Sequence, residues 1–143
     1  MNVTQLSLFL ENKPGRLQSA LKVLSEKNIN IRTLTIAEVT DFGIVRMIVT
    51  RSDEAARALK ENHFTCSVTE VLAIEIDDVP GALSRALETF NKHHLNIEYM
   101  YAFTEKIDDK AVMIFRFDDI ETAKKALIDE GYHIVKKTEI IGE

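Results

Sequence analysis

Proline and glycine are scarce in this 143-residue chain, which has two Pro and five Gly. Average usage is roughly 5% and 7%, so a disordered, linker-rich or collagen-like chain is excluded. Tryptophan is absent, and cysteine occurs once, at Cys66. A lone cysteine makes no intrachain disulfide and no Cys-x-x-Cys metal pair. No apolar run approaches the roughly 18 residues of a membrane span. The stretch from Met1 to Leu10 lacks the basic and long apolar regions of a secretory signal. A soluble cytoplasmic protein is the expectation. Positive charge is also in short supply. The net charge of −5 argues against a general nucleic-acid or anionic-membrane binder, which needs a basic face.

What the chain does have is a repeat, the first thing to look for in a sequence. Lys13-Pro14-Gly15-Arg16-Leu17 recurs as Val79-Pro80-Gly81-Ala82-Leu83, 66 residues later. At the same offset Ala20-Leu21 matches Ala86-Leu87, and Asn30-Ile31 matches Asn96-Ile97. Leu6, Leu8 and Leu10 match Leu72, Ile74 and Ile76. Farther on the offset becomes 68, because the second copy is longer between its middle strands. There Ala55, Ala58 and Leu59 match Ala123, Ala126 and Leu127, and Phe64 matches Tyr132. Both prolines sit at the same point of the two copies. The expected domains are therefore residues 1–70 and 71–143.

Each copy reads as β-α-β-β-α-β. Residues 4–10 alternate as a half-buried strand does. Pro14 suits a first helical turn, and Leu17, Ala20, Leu21 and Leu24 follow the helical i, i+3, i+4, i+7 pattern. Strands are expected over 29–39 and 44–50, around a turn at 40–43. Ser52 or Asp53 is expected to cap a second helix reaching Asn62, and a strand closes the copy at 64–68. In the second copy Leu83, Ala86, Leu87 and Phe90 line a helix. Ile97, Tyr99, Tyr101 and Phe103 alternate on a strand, and residues 111–117 form the next, after a turn at 106–110. Asp118 or Asp119 caps a helix that Gly131 stops, and residues 132–137 close the unit as a strand. This order is the ferredoxin-like split βαβ arrangement, an α+β fold with helices on one face of an antiparallel sheet. Right-handed crossovers require the strand order 4-1-3-2. The junction from Cys66 to Ile74 contains no Gly or Pro, so the two units are expected to pack closely. The charge is unequal: nine Lys/Arg against eight Asp/Glu in residues 1–70, and nine against fifteen in 71–143, net +1 and −6.

The Pro-Gly loops enter helices. Backbone N–H groups there have no intrahelical partner and point outward at the positive end of the helix dipole. Such an end binds small anions, carboxylates included. Asn12 and Asp78 stand two residues before each Pro. Each is able to cap the helix or to accept a hydrogen bond from an ammonium group, with added strength for the Asp78 carboxylate. Asn30 and Asn96 lie past the far end of the same helices. Singly, each of these is an ordinary turn former. Their repetition is what joins a carboxylate receptor to ammonium acceptors, the needs of a free α-amino acid.

The pattern Asn12-x-Pro14-Gly15-x-Leu17 followed by Asn30-Ile31, and Asp78-x-Pro80-Gly81-x-Leu83 followed by Asn96-Ile97, resembles the ACT domain. The resemblance covers almost the whole chain as two tandem units. It is similar to bacterial and archaeal proteins made only of two ACT domains and, more distantly, to the small regulatory subunit of acetolactate synthase. It implies a regulatory fold that binds amino acids at an interface between domains and works by pairing them. It implies backbone donors at Gly15, Arg16, Leu17, Gly81, Ala82 and Leu83, with side chains from Asn12, Asp78, Asn30 and Asn96. Arg16 and Ala82 stand where the family commonly has Val or Ile.

Other constellations carry less. His93-His94 diverge on a helix and lack a third metal ligand. Cys66 suits a buried small side chain. Asp77-Asp78 and Asp118-Asp119 sit at strand-to-helix turns, where acidic caps belong. Tyr99, Tyr101 and Phe103 resemble an RNA-stacking strand, but the acidic second copy opposes it, and packing is expected instead. No catalytic, metal or cofactor motif is present. The expectation is a non-enzymatic regulator of amino-acid metabolism. It would form a homodimer, bind a free amino acid of the branched-chain or similarly small apolar kind, and act on a biosynthetic enzyme. The alternative is a ligand-independent regulatory subunit or interaction module of such an enzyme, acetolactate synthase for example, using Tyr99 and Tyr101 as its surface.

Overall fold

The computed structural model describes residues 2–142. The chain divides into two compact units. Thr4–Thr69 form one, with Ile141 and Gly142, and Glu70–Ile140 form the other, with Asn2 and Val3.

The first unit carries β1 (Val3–Glu11), α1 (Arg16–Glu26), β2 (Ile31–Val39), β3 (Phe42–Val49), α2 (Ser52–Glu61) and the start of β4 (Thr65–Ile76). Its strands lie in the order β2-β3-β1, with β4 on the other side of β1. This is the expected 4-1-3-2. The antiparallel register pairs Leu6 with Met47, Leu8 with Val45 and Leu10 with Gly43. Directly opposed residues share a face, so these leucines meet one hydrophobic layer. Ala20 and Leu24 of α1 and Ala55 and Leu59 of α2 close over it. Small alanines let both helices approach the sheet, and the leucines fill the gap. The core is mainly aliphatic, with Phe64 at its edge, and Leu6, Leu8, Leu24, Met47 and Leu59 are wholly buried. On the other face Phe9 meets Phe42 edge to face at 6.3 Å, and both stay about half exposed, at 50% and 48%.

The second unit continues from β4 through α3 (Ala82–Lys92), β5 (Ile97–Ala102), β6 (Ala111–Phe117), α4 (Ile120–Asp129) and α5 (Lys137–Ile141). Its strands run β4-β6-β5. Its core is aromatic. Phe90 stands edge-on to Phe115 and Phe117 at 5.1 and 5.3 Å, and the latter two stack at 5.7 Å. Such pairs add roughly 0.5–1.5 kcal/mol each beyond the area they bury.

Four helix ends share one device. Asn28, His63, His94 and Gly131 all have positive φ, at 58°, 67°, 57° and 84°. Behind each, the next N–H reaches back into the last turn: Ile29 to the Leu24 carbonyl, Phe64 to Leu59, Leu95 to Phe90 and Tyr132 to Leu127. This is the Schellman ending. It accounts for His63 and His94 as local backbone elements.

Several boundaries differ from the sequence expectation. Pro14 lies in the turn before α1, and left-handed Gly15 (φ 84°) is the residue that enters the helix. Neither Asn12 nor Asp78 caps its helix, because that left-handed glycine occupies the capping position. Ser52 is inside α2 and buried, and Arg51 (φ 50°) is the N-cap. The Arg51 guanidinium instead donates to the Lys27 and Asn28 carbonyls at the end of α1, 2.7 Å each. Asp119 does cap α4, accepting from the Thr122 N–H. β2 starts at Ile31, because Ile29 is drawn into the core by the α1 ending. The last strand expected at 132–137 is reduced to a bridge between Ile134 and Ile74. Val135 donates to the Ala73 carbonyl there, at 2.7 Å. The chain then turns into α5, where Glu139 accepts the Lys136 N–H in a capping-box manner. Tyr99 and Tyr101 are half-buried, on a strand whose register shifts after Ile97. The exposed aromatics are Phe9 and Phe42.

Candidate functional site: the two Pro-Gly loops

In the first loop, the Asn12 N–H is spent on the Asp41 carbonyl at 2.9 Å and the Arg16 N–H on the Lys13 carbonyl at 3.3 Å. The N–H groups of Gly15, Leu17 and Gln18 have no acceptor among the described residues. They form the anion-receptive end of α1. Of the three expected donors here, Gly15 and Leu17 are thus available and Arg16 is not. The Arg16 side chain also leaves the loop and lies over the Phe64 ring, 4.9 Å from its centre. The Asn12 side chain is exposed. A Cβ placed on Gly15 would meet nothing within 4 Å, so the approach is open. Beside it, Glu11, Asn12, Lys13, Thr40, Asp41 and Phe42 line a hollow of ≈ 420 Å³. Glu11 is paired with Lys13 at 3.0 Å, and that hydrogen bond and charge hold its carboxyl below the usual range.

The second loop has the same backbone. Gly81 has φ 85°. Ala82 donates to the Val79 carbonyl at 3.2 Å, which leaves Gly81, Leu83 and Ser84 without internal acceptors among the described residues. Its side chains are arranged differently. Lys106 binds the Asp78 carboxylate, and Lys110 binds Asp77 at 3.0 Å. Each ammonium is pushed above the ordinary lysine range, first by the hydrogen bond to its aspartate and then by that group's charge. The Arg85 guanidinium lies 2.9 Å from where a Gly81 Cβ would stand. Both lysines belong to the connection between β5 and β6, which is itself ordered. Ile107 and Lys110 exchange two backbone hydrogen bonds around Asp108 and Asp109, at φ 51° and 62°. This is a tight primed turn.

Asn30 and Asn96 lie elsewhere. Asn30 exchanges backbone bonds with Thr50, accepting from its N–H at 3.0 Å and donating to its hydroxyl at 2.9 Å. It borders a groove of ≈ 500 Å³ lined in part by Leu21, Leu24 and Ser25. Leu17 borders the adjoining groove along α1 with Leu21 and Ser25. Glu11 is opposite Phe42 and Ile31 opposite Val49. Asn12 bonds to Asp41 and Asn30 to Thr50 at the two ends of β3, and that nine-residue separation puts them roughly 30 Å apart. In the second unit Ile76 faces Ala111 and Ile97 faces Phe117, which separates Ile76 from Ile97 by roughly 20 Å, with Asp78 and Asn96 beyond those two ends. One small ligand therefore cannot touch both ends of the same unit.

The sequence reading missed Lys106, Lys110 and Arg85 as loop residues. Its one signal was the extra length that moved the repeat offset from 66 to 68. His93 and Lys92 share the Glu130 carboxylate at 2.8 and 3.1 Å, and no cluster of metal-ligating side chains exists among the described residues. Cys66 is half-buried beside the first core, and burial pushes its thiol up. No helix among the described residues is long and apolar enough to cross a membrane.

Residues 1–142 match the ACT domain pair. A crystal structure of a Bacteroides thetaiotaomicron protein is similar at 38% identity and TM-score 0.90, covering 98% of this chain and 96% of the other. The ligand-free regulatory subunit of aspartate kinase from Thermus thermophilus shares the fold, at 15% identity and TM-score 0.64 over 92% and 94%. The corresponding Thermus flavus subunit does so at 14% and 0.65, over 90% of each chain. No curated protein sequence matches.

Proposed function

The chain belongs to the ACT domain pair family, a regulatory module, and from that premise we propose that it is a non-enzymatic amino-acid sensor. The observation that carries the proposal is the open first loop. Unsatisfied N–H groups at the positive end of α1 face outward beside an uncommitted amide side chain, Asn12. The carboxylate of a free amino acid would rest on the Gly15 and Leu17 N–H groups, and its ammonium would donate to the Asn12 side-chain oxygen. Phe42 offers an apolar wall for a branched-chain or similarly small apolar side chain. Asn30 is too distant to join this site within one unit, so it would complete a loop supplied by another ACT unit, such as that of a second copy of the chain. Ligand would then favour one arrangement of the assembly, and that preference is what a biosynthetic enzyme partner in the cytoplasm would read.

Isothermal titration against the twenty amino acids tests this. Saturable heat with one or a few, lost in the Asn12→Ala, Asp78→Ala double variant, is the expected result. No detectable binding would overturn it. The ligand-independent reading draws on Phe9, Val39 and Phe42, which are all about half exposed. It predicts that a biosynthetic enzyme co-purifies without added amino acid and that Phe9→Ser releases it.

A further inference from the structure

The two loops share a backbone and differ in what lies on them. In the first, the turn between β2 and β3 spans only residues 40–41 and touches the loop through one backbone hydrogen bond, from Asn12 to Asp41. In the second, the connection between β5 and β6 spans residues 103–110 and reaches the loop with two lysines. Position 19 is Ser, whose hydroxyl donates to the Gly15 carbonyl at 2.9 Å. The matching position in the second copy is Arg85, which lies across Gly81.

We propose that the second loop is closed by the protein's own side chains, so that each chain binds one amino acid, at the first loop. This rests on the reading of the loops as amino-acid sites. Lys106 supplies an ammonium group to Asp78, the acceptor that a ligand's α-ammonium would need. The Arg85 guanidinium lies against Gly81 and takes up space at the entrance to that helix end. Lys110 holds Asp77 and so anchors the same hairpin. The closure is intramolecular. A tethered ammonium acts at an effective concentration of order millimolar, so a free amino acid competes with Lys106 at a disadvantage even though an exposed ion pair is weak. The primed turn at Asp108-Asp109 holds Lys106 and Lys110 on one short hairpin, which lowers the entropy lost in making both pairs.

The test is stoichiometry. Each of the twenty L-amino acids is dialysed to equilibrium against the full chain, and bound molecules per chain are counted. The wild type is expected to bind one. Asn12→Ala should abolish that binding and Asp78→Ala should leave it intact. Lys106→Met combined with Arg85→Ser should bind two, and the milder Lys106→Gln should show a second, weaker site. Two molecules per wild-type chain would overturn the closure and leave the sensor reading standing. So would one molecule in the double variant, or loss of wild-type binding through Asp78→Ala. Binding of no amino acid by any of the proteins would overturn the sensor reading itself.

Discussion

The first unit buries a mainly aliphatic layer and presents a bare loop; the second packs three phenylalanines against one another and presents a loop under lysine and arginine. The first five elements of each unit correspond, down to the left-handed glycine before the helix and the bulge early in the edge strand, while the second unit ends in a single bridge and α5 in place of a strand. Around the loops, what differs is the length of one connection and a handful of side chains. A ferredoxin-like scaffold therefore fixes where a loop stands, while its neighbours fix whether anything else reaches it.

The deepest contrast lies in the cores. Phe90→Ala should cost about 3–5 kcal/mol and Leu24→Ala about 2–5 kcal/mol. Urea unfolding monitored by circular dichroism checks both. A Phe90→Leu variant that loses nearly as much would show that the ring geometry, rather than filled volume, carries the second core. The loops come next. Gly15→Ala and Gly81→Ala each force a left-handed conformation on a residue with a Cβ, at about 1–2 kcal/mol. Arg85 is the far end of a flexible chain and should yield, so near-equal losses are expected. A much larger loss at Gly81 would show that the guanidinium is fixed in place.

The helix endings offer a gain. His63→Gly and His94→Gly should each stabilise by about 0.5–1 kcal/mol, whereas Gly131→Ala should destabilise by a similar amount. Thermal midpoints would show both signs. Acid provides a smaller probe. Hydrogen bonds hold the Glu130 carboxyl low, from His93 first and Lys92 next, and Thr122 does the same for Asp119. A depressed folded-state pKa contributes stability above the unfolded-state value and loses it as pH falls through the folded one. Urea midpoints should therefore decline below about pH 4, and less steeply in Glu130→Gln. Glu11, lowered by Lys13, adds the same sign in the first unit. The smallest effect belongs to Lys106→Met. The Lys106 pair is exposed, so the thermal midpoint should hardly move, and any change in ligand count then reports the loop itself.

Much of the fold could be read from the repeat. Alternating Leu6, Leu8 and Leu10, the 3-4 spacing of Leu17, Ala20, Leu21 and Leu24, and the Pro-Gly pairs located strands, helices and loops, because burial on one face writes its period into the chain. The capping assignments were less legible. Ser52 and Asn12 are good N-cap residues by type, yet a left-handed residue already turns the chain into each helix. The final strand was obscured for a related reason. Tyr132, Ile134 and Val135 have strand character, but Glu139 draws Lys136 into a helix start instead.

By itself the sequence determined the doubled βαββαβ order, the two cores and the placement of the Pro-Gly loops. These follow from local propensity and hydrophobic period, which act over a few residues. Only the tertiary structure decided that Asn12 and Asn30 stand at opposite ends of their sheet, and that Lys106, Lys110 and Arg85 converge on the second loop while, among the described residues, no such pair of lysines reaches the first. Those are distances between residues far apart along the chain. They are set by strand register and connection length, which the period of a sequence does not encode.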